Sequence, residues 1–391
     1  MLIMISILKD WIRNPFRFYF LVASFIIIPI SCTWLMIGEG FWLWISDPIS
    51  FHSWGFINVF GTAAFGGFLF TAVPEWTHYT KDLSKICLLS LIVWLLIILC
   101  AFIDTSISAI FASIFWLLFT LFSINLSIKA KDNRHINIIV LLIVLCFLNA
   151  FYAFEPSILI IKQLAHSYII AVSLVIFRIG KALGSKALEL SKLSHCNFVP
   201  NPFYRNISVI CLYLYIVSNL AGENPMTIAW ISLAIGLAII GRLRDWHYFV
   251  LLKQPFVRWY YVTLLCIGIG YCWQGYTVLL GDGNTIYPFH LIMIGGFLMM
   301  VMQAFSIAGT VHSSLDLPYP NTSRISLFFI LLATLSRAFA GIISNRWSLN
   351  YTFLAWYLPA ICISLAFIIY IPVFARIYTK YPALAPSPIE R

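Results

Sequence analysis

Apolar residues run on for about 18 positions or more, again and again along the chain, with short polar segments between the runs. Each run is long enough to cross the hydrocarbon core of a bilayer as a helix. A membrane-spanning strand barrel would show short segments of strict alternation instead, so the pattern predicts helices. Twelve spans are expected, at 17–37, 54–74, 85–104, 107–127, 136–154, 158–179, 206–222, 226–243, 257–280, 287–309, 325–344 and 351–375. The expected fold class is therefore all-α: a polytopic membrane helical bundle forming one integral domain over 1–391. Six-helix halves at 1–180 and 206–380, joined by the basic segment 180–205, are compatible with the pattern, although no internal repeat marks them.

The polar segments carry a strong charge bias. With the amino terminus in the cytoplasm and the loops alternating, 21 of the 24 Lys and Arg residues fall on the cytoplasmic side. The outer side keeps only Lys162, Arg337 and Arg346. A missed or invented span would invert every later loop, so the bias predicts twelve spans with both termini cytoplasmic. The lipid bilayer is the main expected partner. The net charge of +10 does not point to nucleic acid, because the basic residues form no patch within a folded polar domain. Lys9, Arg13 and Arg17 precede the first span, which is long enough to stay as a membrane helix.

Composition narrows the class further. Some 62% of the residues are apolar and 10% are charged, against roughly a quarter charged in soluble domains. No Cys-x-x-Cys pair occurs among the nine cysteines, and only Cys196 lies in a polar segment. A dithiol or zinc site is not expected. The stretch Pro382–Pro388 reads as a disordered end.

Histidines are the residues through which such a protein would hold iron or copper. His52, His166 and His290 fall near the outer ends of spans 2, 6 and 10. His78, His135, His195, His247 and His312 fall on the cytoplasmic side. His290 and His312 bracket one span and lie about 33 Å apart if it is fully helical. Any metal or haem site must then combine histidines of different helices at one depth. The outer layer is the better candidate, through His52 and His290. Below them lie the glycine pairs Gly66-Gly67 and Gly295-Gly296, which suit close helix approach or a flat macrocycle. His166 lacks that context.

Arg337 sits in the outer half of span 11. A charge at such depth costs about 2.5–3.5 kcal/mol on insertion scales, so it should face a partner. A haem propionate would serve, and snorkelling to the interface is the other reading. Met293, Met299, Met300 and Met302 line span 10, as packing or as thioether ligands. Asn149 is a polar group near the outer end of span 5. Trp42, Trp44, Phe51, Trp54, Trp273, Tyr276 and Tyr287 form an outer aromatic belt.

The segment Phe51-His52-Ser53 through Gly67-Phe-Leu-Phe-Thr71-Ala72-Val73-Pro74-Glu75-Trp76 resembles the second-span signature of the NnrS family. Similar matches follow at Gly270-Tyr271-Cys272-Trp273, His290-x4-Gly295, His312, Ala333-x3-Arg337, Ala355-Trp356 and Tyr370-x-Pro372. The resemblance implies a twelve-span bacterial inner-membrane protein that contains haem and copper and is associated with nitric oxide tolerance. It carries over His52, His290, His312 and Arg337 as cofactor-binding residues. The chain departs from the family pattern where Trp54 and Gly55 replace a second histidine and an acid. It departs again at Gly268, for a histidine, and at Ile307, for an arginine.

Two functional classes remain open at this stage. One is a protein holding haem b near the periplasmic face through His52 and His290, with Arg337 on a propionate. Nitric oxide or a redox partner would be its ligand or partner, copper a second cofactor, and the motifs do not specify turnover. In that reading His312 lies too far inward and would serve a separate cytoplasmic-side site with His78 or His247. The other class is a haem-free transporter of a small molecule or metal, with Arg337 inside the bundle. A haem–copper oxidase is excluded, because no His-His pair lies on one helix. A dihaem cytochrome b would need paired histidines at two depths of one span, and none occurs.

Overall fold

The structure is a computed structural model describing residues 10–43, 45, 47–132, 135–193 and 195–383. Lys9, Trp44, Arg134, Arg391 and most of the Pro382–Pro388 stretch lie outside the described residues. Twelve helices are long and apolar enough to cross a membrane: α1 (Pro15–Gly38), α2 (Pro48–Trp76), α3 (Ser84–Ala101), α4 (Thr105–Ala130), α5 (Ile136–Phe154), α6 (Ile158–Leu190), α7 (Pro202–Leu220), α8 (Pro225–Trp246), α9 (Pro255–Leu279), α10 (Ile286–Val311), α11 (Asn321–Trp347) and α12 (Phe353–Lys380). No strand occurs among the described residues. Below, outer and inner name the helix ends that the charge bias assigns to the outside and the cytoplasm.

Number and order of the spans match the sequence pattern, and the boundaries differ in instructive places. Helix α2 begins at Pro48, six residues before the apolar run. Asp47 caps it by accepting the Ser50 backbone N–H at 3.1 Å, and Pro48 fits the first turn, where no N–H is needed. Hydrogen bonding from Ser50 holds the Asp47 carboxyl below its usual range. Helix α6 continues eleven residues past the expected end at 179. Its extension, Gly180–Leu190, is rich in Ala, Leu, Lys and Glu, which favour helix even without apolar continuity. Leu183 and Ala187, four apart, are buried there, and Lys186 pairs with Glu189 on the outside at 2.7 Å.

The chain divides into two compact units. The first comprises Met1–Leu164, Ile307–Asp316 and Phe367–Arg391. Its most buried span is α2, with 83% of its apolar window inside. Trp54 of α2 stacks on Tyr152 of α5 at 4.7 Å and donates its indole N–H to Ser108 Oγ of α4 at 2.9 Å. Lower on α2, Gly67 admits Tyr19 of α1, whose Cβ would lie 2.6 Å from a methyl at that position. Gly66 admits the Phe115 ring in the same way. The glycine pair is a helix-packing device.

Arg17, counted by charge as a flanking residue, is buried inside this unit. Its Nη1 donates to Asp10 Oδ2 and to the Tyr378 carbonyl, both at 2.8 Å, and its Nη2 to the Tyr381 carbonyl at 2.9 Å. The guanidinium thus caps the carboxyl end of α12, where a cation also meets the negative end of the helix dipole.

The second unit comprises Ala165–Ser306 and Leu317–Ala366. Its buried spans are α6 and α10, at 83% and 89%, against 28–56% for α7, α8, α9, α11 and α12. Gly236 of α8 and Gly268 of α9 let these two helices cross closely. A methyl on Gly236 would lie 2.7 Å from both the Gly268 carbonyl oxygen and the Cys272 backbone nitrogen. Gly295 and Gly296 of α10 are likewise filled, by Thr334 and Cys266 and by Ile267. These glycines bring helices together rather than hold space for a macrocycle.

Candidate functional site

Helix α10 opens at Ile286–His290 as an α-helix, winds as a π-helix through Leu291–Leu298, and returns to α from Met299. Such stretches are uncommon and recur at functional sites. His290 stands at the junction. Its Nδ1 lies 2.7 Å from the Ile286 carbonyl oxygen, which can only accept. The imidazole therefore carries a proton on Nδ1. Metal-ligating histidines are commonly oriented by such a bond.

Leu291, the next residue, packs with Cys266 of α9 and Ala338 of α11. His290 and Arg337 thus each directly precede a member of this cluster. The Arg337 Nη1 is buried and makes no hydrogen bond. Its polar neighbours are the phenols of Tyr351 and Tyr287, with no carboxylate among the groups bearing on it. The two phenolic oxygens lie 3.3 Å apart. One turn beyond Arg337, Gly341 leaves room for the Tyr287 hydroxyl, which a methyl would meet at 2.8 Å. Trp273 and Phe339 stack at 5.4 Å beside this group. Ser336 anchors α11 to the start of α12 by donating to the Leu354 carbonyl at 2.5 Å.

A second polar cluster lies deeper in the same unit. His166 of α6 is 1% exposed, and its Nδ1 lies 2.6 Å from the Tyr271 hydroxyl. Its ring meets Tyr215 edge-on at 4.8 Å and Phe289 at 5.8 Å. Gln274 donates its amide to the Tyr215 hydroxyl at 2.5 Å. The sequence ranked His166 below the other outer histidines because nothing beside it in the chain repeats. Its partners come from α7 and α9, which spacing alone does not reveal.

In the first unit, His52 lies in the second turn of α2 between Trp34 and Phe56, at ring distances of 5.7 and 5.0 Å. A π-helical stretch, Gly55–Phe60, begins three residues after it, whereas the one in α10 begins directly after His290. Within that stretch Asn58 is fully buried, and neither amide atom has a hydrogen-bond partner. Asn149 of α5 donates to the Leu145 carbonyl at 2.8 Å. His312 follows α10 directly and packs on Phe16 at 5.6 Å. Burial there pushes its pKa down to about 4.

The other histidines have plain roles. His135 stacks on Trp76 at 5.0 Å, His247 pairs with the exposed Tyr261 hydroxyl at 3.1 Å, and His78 is exposed. Met299, Met300 and Met302 are core residues of α10. Among the described residues, no group of three or more His, Cys, Asp or Glu side chains is placed to hold a metal ion.

Twelve apolar helices define a multi-pass membrane protein of the all-helical class, with histidines and an arginine set on or beside its most buried spans. The NnrS protein family model matches residues 10–381, and the chain belongs to the NnrS family. A search of curated proteins finds no match.

Proposed function

We propose that the protein binds haem b at the outer end of α10 and takes part in the response to nitric oxide and nitrosative stress, in a bacterial inner membrane with both termini in the cytoplasm. One observation carries the reading: His290, oriented through its Nδ1–H, and Arg337, with its unsatisfied Nη1, each directly precede a member of one buried cluster that joins α9, α10 and α11. An imidazole nitrogen and a buried guanidinium are the donor set that an iron porphyrin with acidic side chains needs. His290 would supply a nitrogen ligand to the iron, and Arg337 would neutralise a propionate that would otherwise be desolvated alone.

Bound haem would supply an iron centre that binds nitric oxide or passes electrons to a redox partner. The chain's own part is to orient the imidazole, exclude water with aromatic side chains and hold the carboxylate. Copper, which the family resemblance also implies, would need a donor set other than a group of three or more His, Cys, Asp or Glu side chains, since none is placed to hold a metal ion among the described residues. The test is the absorption spectrum of the purified protein together with its haem content. A Soret band that His290→Ala weakens or shifts supports the reading. A purified protein without one, or with one that this change leaves untouched, ends it.

A second reading has one observation in its favour. The buried His166–Tyr271 pair gives the membrane interior a polar, titratable group of the kind found on transport pathways. Uptake of a small solute or metal by haem-free protein in proteoliposomes, lost in His166→Ala, would favour a transporter.

A further inference from the structure

Arg337 is one member of a larger group of donors. Its Nη1 carries two N–H bonds with no acceptor. Beside it, the hydroxyls of Tyr287 and Tyr351 lie 3.3 Å apart. Only one proton can sit between two oxygens, so the second hydroxyl must donate elsewhere. The cluster therefore holds a guanidinium with a buried, unpartnered Nη1 beside two phenols whose mutual contact is exposed, and no carboxylate is among the titratable groups bearing on it. A group so arranged lacks an anion.

The backbone is shaped for this convergence. Tyr287 precedes His290 by three residues, which sets the two side chains on one side of α10. Its hydroxyl reaches α11 because Gly341 has no side chain, and Gly341 is one turn from Arg337 on the same face. Tyr351 comes from the turn entering α12, so three separate segments meet at one point.

We propose that Arg337, Tyr287 and Tyr351 form a carboxylate-binding cradle whose occupant is a propionate of the haem. This rests on the haem reading above. The cradle takes the ionised carboxylate, with charge assistance from the guanidinium and hydrogen bonds from the phenols, and the three-residue step to His290 ties it to the ligating imidazole. Fixing the acidic edge of the porphyrin would set which way the ring faces in the membrane.

The test compares two porphyrins that differ only at their acids. Protein produced under haem depletion is titrated in detergent with iron protoporphyrin IX and with its dimethyl ester, and binding is read from the Soret band. Wild type is expected to bind the free acid about tenfold tighter than the ester or better. The double variant Tyr287→Phe/Tyr351→Phe should lose about tenfold in affinity for the free acid and keep its affinity for the ester, so that the preference collapses. Gly341→Ala, which displaces the Tyr287 hydroxyl without removing it, should weaken the preference as well. Equal binding of both porphyrins by wild type, or an unchanged preference in the double variant, overturns the cradle and leaves haem binding intact. Binding of neither porphyrin by wild type overturns the haem reading itself, and the cradle with it.

Discussion

Leu291 of α10 and Ala338 of α11 share one buried cluster with Cys266 of α9, and each is directly preceded in the chain by a residue of the candidate site, His290 and Arg337. A buried guanidinium there cannot be incidental, because its desolvation is costly and its Nη1 has no protein acceptor. Arg337→Leu removes the charge that the cradle holds ready. The expected outcome is a stable protein, since an unsatisfied donor is lost with the charge. Haem retained through purification should fall about tenfold, equivalent to about 1.4 kcal/mol of binding. Equal haem content in variant and wild type would show that Arg337 has no part in binding.

Asn58 poses a sharper question, because both amide atoms are buried without a partner inside the π-helical part of α2. Leaving a buried polar group unsatisfied costs about 1–3 kcal/mol, and an apolar residue of similar size avoids that cost. Asn58→Leu should therefore leave the melting temperature in detergent unchanged or raise it by a few degrees. A drop instead would mean that the amide binds something in the folded protein, a water molecule or a ligand, that the substitution removes.

The membrane architecture is legible in the sequence because each span is set by composition over about twenty residues, a signal no single position can obscure. The extension of α6 to Leu190 is not, since Lys181, Ser185 and Lys186 interrupt the apolar run while keeping helical propensity. The π-helical stretches after His52 and His290 leave no compositional mark at all. Of the site, His290 and Arg337 stand out by residue type and depth. Tyr287 passes for one more member of an aromatic belt. Tyr351, 64 residues further on, meets it only through the fold. Gly341 lies alone in α11 and carries no pattern, yet it admits the tyrosine hydroxyl.

Helix packing gives a prediction independent of any cofactor. A methyl at Gly236 would press on the backbone of α9 at 2.7 Å, and backbone cannot rotate away as a side chain can. Gly236→Ala should cost about 1–3 kcal/mol by forcing the helices apart. Gly283, in the turn before α10, has open space around it. Gly283→Ala is the matched control and should leave the melting temperature unchanged. Equal effects of the two substitutions would contradict the close crossing of α8 and α9.

His312 gives a pH dependence whose sign follows from burial. The folded protein holds its pKa down at about 4, below the 6.5 of an exposed imidazole. Between these values the unfolded chain binds the proton and the folded one does not. Stability is then complete above about pH 6.5 and declines as the pH falls towards 4, by up to about 3 kcal/mol. His312→Gln removes the titrating group, so the stability difference between wild type and variant should shift against wild type across this window. A constant difference from pH 7.5 to 4.5 would place the imidazole in contact with solvent.

Topology can be read from a single native thiol. Cys196 is exposed in the segment between α6 and α7, whereas the other eight cysteines are buried or partly buried. The charge bias puts that segment in the cytoplasm, since an even number of spans separates it from the amino terminus. A membrane-impermeant maleimide should leave Cys196 unlabelled in intact spheroplasts and label it in inverted vesicles. Gly283→Cys, in the loop between α9 and α10, should behave in the opposite way. The same orientation would put His290 and Arg337 on the periplasmic side, where a diffusing gas or an external reductant meets the protein first. Labelling of Cys196 from outside would invert the whole bundle and move the proposed haem to the cytoplasmic face.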